Sequence, residues 1–100
     1  MYLLLPMDSE DVQEAKLVKA LEAKVWAQLL VEEGQVVEIL HSPTYDGFEN
    51  FSEAVVLVDE GENPMPFIEL SMMPLIAPMQ REIDDIVEAY LFRELHDFPY

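Results

Sequence analysis

Cysteine is absent from the 100 residues, which excludes disulfides, thiolate catalysis and cysteine-ligated metal clusters and fits a reducing compartment. Glycine is scarce at three residues, and no glycine-rich loop is available to cradle a phosphate. Positive charge is thin. Five lysines and arginines stand against 21 acidic residues, for a formal charge of −16. Such a chain repels polyphosphate and anionic lipid, so neither nucleic acid nor a membrane is an expected partner; the acidity reads first as a solvated, self-repelling surface, with a basic protein partner as the alternative. No apolar run approaches the roughly 20 residues of a membrane-spanning helix. The opening Met1-Tyr2-Leu3-Leu4-Leu5-Pro6 lacks the basic n-region and the apolar length of a signal peptide, which makes the cytoplasm the expected compartment. Ser9, Ser42, Ser52 and Ser71 lack the surroundings of an activated nucleophile, so hydrolase and nucleotide chemistry are poorly supported.

Apolar residues, by contrast, make up 51% of the chain and aromatics 10%, enough to offset the entropy of ordering one core. The length suits a single domain over residues 1–100. Tyr2 to Leu5 is a continuously apolar run stopped by Pro6, as in a strand covered on both faces. Asp8 or Ser9 can cap a helix over residues 9–22, in which Val12, Ala15, Val18 and Leu21 recur every third position.

From Lys24 to Val31 the pattern alternates, with Val25, Ala27, Leu29 and Val31 on one face and Trp26, Gln28 and Leu30 on the other. A Glu33-Gly34 turn then returns the chain as a strand from Val36 to Leu40. A two-residue turn pairs Val31 with Val36 and, in unbroken register, Trp26 with His41.

After a turn cluster around Pro43 and Gly47 there is room for only a short helical piece near Tyr45 to Phe51. Ala54 to Val58 reads as a buried strand, and Asn63-Pro64 opens a short helix to about Met72. Leu75 to Ala77 reads as a fifth strand, and Gln80 to His96 as an amphipathic helix with Ile83, Ile86, Val87, Tyr90, Leu91 and Leu95 on one stripe. The expected fold is α/β: a mixed five-stranded sheet with an antiparallel hairpin, a parallel pair formed by the first and fourth strands, and helices packed on it in two or three layers.

Four segments carry a family resemblance: "LLLPMD", "AKVWAQLLVEEGQVVEI", "AVVLVDEGENPMPFIEL" and "IDDIVEAYLFREL". In order and spacing they resemble the small domain of the dinitrogenase iron-molybdenum cofactor biosynthesis family. The resemblance implies a ribonuclease-H-like fold and an accessory that binds or carries iron-molybdenum cofactor or a precursor. Members typically have a His-Phe-Gly-Arg-like stretch before the second strand. Here Lys19-Ala20-Leu21-Glu22 stands in its place, so the motif is lost while the scaffold is kept. Lys19, Glu22, Trp26 and His41 are the candidate cofactor-binding residues.

Asp8 and Asp59 follow the first and fourth strands, and at one carboxyl edge they are candidate ligands for Mg²⁺ or Mn²⁺ with Glu10, Glu60 or Glu62 nearby; capping is the competing role. His41 and His96 are the only histidines and lack metal-ligand spacing. Met65, Met72, Met73 and Met79 suit adaptable packing. Phe92, Phe98 and Tyr100 form a candidate tail that docks on the domain or on a second copy in a homodimer.

Overall fold

The computed structural model describes residues 1–99. The strands are β1 (Tyr2–Met7), β2 (Val25–Glu32), β3 (Gln35–Ser42), β4 (Ala54–Leu57), β5 (Met73–Ile76) and β6 (His96–Asp97), with helices α1 (Met65–Ile68) and α2 (Ile83–Leu91). They form one six-stranded sheet in the order β3-β2-β1-β4-β5-β6. β1 and β4 are parallel neighbours, as expected from their buried runs, and β4 pairs parallel with β5. The other pairings are antiparallel, so the sheet is mixed and one strand wider than its sequence suggested.

Alternation in the central strands sorts the core into two layers. Leu3, Leu5 and Met7 of β1 share one face with Ala27 and Leu29 of β2 and Val56 of β4, and Ile83, Ile86 and Val87 of α2 cover it. Leu4, Trp26, Val55 and Leu57 point the other way and are covered by Phe67 of α1, Met72 and Phe98. One helix thus lies on each face of the sheet, α2 on the first and the single-turn α1 on the second. Burying each large aliphatic side chain contributes about 1.5–3 kcal/mol, which is why the fully apolar β1 and β4 occupy the centre.

Pro6 does not end β1. The strand continues to Met7 against β2, while pairing with β4 spans only Leu3 and Leu4. Proline has no N–H to extend that second ladder. The carbonyl of Pro6 instead accepts the N–H of Val18.

The helix expected over 9–22 is replaced by a loop and a 3-10 turn at Ala20–Glu22. Local side chains compete for the backbone there: Ser9 Oγ accepts the N–H of Asp11, and Asp11 Oδ1 accepts those of Gln13 and Glu14. The loop then folds back, with Leu17 bridging to Met7 and its N–H bonded to the carbonyl of Arg81. Ala15 and Leu17 are buried while Val12 is exposed, an alternation that overrides the spacing of three.

The hairpin turn has positive φ at Glu33 and Gly34 (52° and 78°), as a two-residue turn between twisted strands requires. Val31 does face Val36, but the register shifts between Leu30 and Val31, and beyond it Trp26 pairs with Ser42 and Ala27 with His41. Val37 is the extra residue of this bulge. One inserted residue corrects the expected Trp26–His41 pair and places the two side chains on opposite faces.

The last helix is shorter than its stripe. Arg93 takes φ +58°, the N–H of Glu94 bonds to the carbonyl of Ala89, and that of Arg93 to Tyr90, a Schellman stop. The chain then reverses, so His96 lies in β6 paired with Ile76 rather than in a last helical turn. Phe98 is buried in the second core, so this part of the tail docks on the domain itself, the first of the two alternatives. Phe92 stays exposed, and Tyr100 lies outside the described residues.

Candidate functional site

The end of β1–β4 pairing opens the carboxyl edge of these parallel strands, where α/β sheets commonly bind ligands. Beyond β4 the loop 58–64 turns on Glu62. Its Oε2 accepts the N–H of Val58 at 2.7 Å and of Asp59 at 3.4 Å, and its Oε1 accepts the N–H of Ala20 at 2.8 Å. One carboxylate thus ties the β4–α1 loop to the 3-10 turn. Asn63 Oδ1 accepts the N–H of Met65 and starts α1, which sets Phe67 beneath the loop.

Between the 3-10 turn and α1 lies a cleft of about 600 Å³. Its floor is aromatic: the centroid of Trp26 lies 5.7 Å from those of both Tyr45 and Phe67, which are 5.3 Å apart. The Trp26–Tyr45 and Tyr45–Phe67 pairs meet edge to face at 68° and 69°, the arrangement ring quadrupoles favour. Trp26 and Phe67 are 5% and 3% exposed, and Tyr45 is half-buried. The rim carries Lys19, Leu21 and Glu22 on one side and Glu62, Asn63 and Pro66 on the other. Leu21 is fully exposed at 102%, an apolar side chain standing free at the mouth.

Of the sequence-derived candidates, Lys19, Glu22 and Trp26 meet in this cleft. His41 does not, because its partner is Ala27 on the face covered by α2. Asp59 lies just outside, its Oδ1 taking the N–H of Gly61 at 2.8 Å and its Oδ2 3.8 Å from Lys19 Nζ. Asp8 Oδ1 accepts the N–H of Lys16 at 2.8 Å, so it fastens the 8–16 loop instead of capping a helix. Among the described residues no group of three or more His, Asp or Glu side chains is placed to hold a metal ion. Sequence reasoning missed Tyr45 and Phe67 as the floor and Glu62 as the latch. Only the turn residues around Tyr45 and the acidic run before Asn63-Pro64 hinted at them.

These features define a small α/β domain with an open, aromatic-floored cleft at the carboxyl edge of its parallel strands. The sequence matches no family model and no curated protein. In fold it is similar to the solved crystal structure of PH0822, with a TM-score of 0.71 at 13% identity over 97% of this chain and 96% of that one. That likeness concerns the fold alone. No helix among the described residues is long and apolar enough to cross a membrane.

Proposed function

We propose that this protein is a non-catalytic binding or carrier module that holds a small organic molecule in the aromatic cleft. The observation that carries the reading is the convergence of Lys19 and Glu22 over the floor formed by Trp26, Tyr45 and Phe67. Flat apolar walls with a few polar groups are the ordinary composition of a ligand site. The carboxylates of Glu62 and Asp59 bind backbone N–H groups or the Lys19 ammonium, which suits holding a ligand better than transferring a proton.

The reading includes the ribonuclease-H-like form of the fold and kinship with the iron-molybdenum cofactor biosynthesis family. It is supported by the antiparallel β3-β2-β1 set continued by parallel β4 and β5, and by the cleft forming where the family's motif would lie. The lining residues do not fit direct ligation of an iron-molybdenum cluster as cargo. The chain has no thiolate, and neither histidine lines the cleft.

Native mass spectrometry with elemental analysis of gently purified protein tests the proposal. A stoichiometric organic adduct, lost in Tyr45→Ala, is the expected result. An adduct that Tyr45→Ala retains, or stoichiometric iron or molybdenum, overturns it. The second reading, an acidic adaptor for a basic protein, rests on the formal charge of −16 and requires a protein complex that weakens with salt.

A further inference from the structure

We propose that the cleft selects organic cations: ligands carrying an ammonium or guanidinium group on a flat or apolar body. This rests on reading the cleft as a small-molecule site and adds the class of molecule it takes.

The argument is electrostatic and geometric. Lys19 is the one basic residue lining the cleft, and its ammonium is paired with Asp59 at 3.8 Å. Glu22 and Glu62 both line it, and among the described residues no ion pair neutralises either carboxylate. Three backbone N–H groups fix the Glu62 carboxylate in position but bring no net charge. An arriving anion therefore meets two carboxylates and a single half-exposed lysine with Asp59 beside it. A cation meets the reverse, inside the field of a chain with formal charge −16, and low-dielectric aromatic walls concentrate that field in the cleft.

The floor adds a second preference. Trp26, Tyr45 and Phe67 lie with centroids within 5.7 Å of one another, and a cation within about 6 Å of an aromatic face is attracted by the ring quadrupole. Trp26 and Phe67 are almost fully buried, so the half-buried Tyr45 is the ring most open to an ammonium group, with the other two packed behind it. The cleft, at about 600 Å³, leaves space for an apolar body beside Leu21 and Pro66.

Three probes of similar size separate the outcomes: benzyltrimethylammonium, benzyl alcohol and phenylacetate, each titrated calorimetrically into the wild-type protein, Glu22→Gln and Tyr45→Ala. At low salt the cation is expected to bind at least about ten-fold more tightly than the anion, with the gap closing as salt is added. Glu22→Gln should narrow the gap while leaving the alcohol unchanged, and Tyr45→Ala should weaken all three. Equal affinities, or a preference for phenylacetate, overturn cation selection and leave the cleft a small-molecule site. Binding that Tyr45→Ala does not affect, or no binding of any probe at millimolar concentration, overturns the reading of the cleft and this inference with it.

Discussion

Replacing Ala20 by proline deletes one backbone N–H with little change to the local fold. Lys19 has φ −62° and ψ 149°, the extended conformation a residue before proline prefers. Ala20 opens the 3-10 turn, the position where a helical segment tolerates proline. The deleted group is the donor that reaches Glu62 Oε1 at 2.8 Å. A hydrogen bond to a charged acceptor contributes about 1.5–3 kcal/mol, and the half-buried setting places this one near the lower end. Proline returns about 0.4–1 kcal/mol by restricting the unfolded chain. The net loss is then about 1 kcal/mol, a fall in Tm of roughly 4–8 °C for a domain of this size.

In a Glu62→Ala background the same N–H faces water, so Ala20→Pro should there stabilise by about 0.4–1 kcal/mol. The change of sign, a coupling of about 1.5 kcal/mol, is the signature of the latch. Urea unfolding followed by the fluorescence of Trp26, the single tryptophan, measures all four proteins of the cycle. Effects of equal sign and size in both backgrounds would refute the latch.

Deleting Val37 removes the bulge residue but preserves the Trp26–Ser42 register. The variant should fold with an unchanged tryptophan spectrum and self-associate more strongly by sedimentation, because a bulge protects an edge strand from pairing. Arg93→Gly relieves a left-handed backbone at φ +58° and should raise stability by about 0.5–1 kcal/mol in chemical denaturation. Ile86 is fully buried and Phe51 is 84% exposed. Ile86→Ala should cost about 2–5 kcal/mol and Phe51→Ala less than about 0.5 kcal/mol, compared by thermal melts.

Much of the scaffold is legible along the chain because its causes are local. Alternation from Val25 to Val31 follows from one strand having two faces, and both faces are found where it put them. Gly34 tolerates a positive φ wherever it occurs, so the hairpin could be read without knowing its neighbours. Lys19, Glu22 and Trp26 are grouped only through the family resemblance, which puts a lost motif just before β2; the turn that brings them together at Ala20–Glu22 is not legible in the sequence.

Several of the misreadings also involve distant partners. Val12, Ala15, Val18 and Leu21 have the spacing of a helical stripe, yet Ala15 alone of them is buried, because Pro6 and Arg81 offer the loop backbone bonds that a helix would have made internally. His96 ends the expected helix but instead finds a free edge on β5, where it pairs with Ile76.

The cleft divides in the same way. Composition and order alone determined an acidic, cysteine-free α/β chain with a parallel β1–β4 pair and a hairpin that begins near its tryptophan. Tertiary structure alone decided that Tyr45 and Phe67, 22 residues apart in sequence, complete a floor with Trp26, and that Glu62 bonds across to Ala20. Secondary structure follows from neighbours a few residues away, whereas a binding cleft is assembled from groups whose only relation is the packing of the elements that carry them.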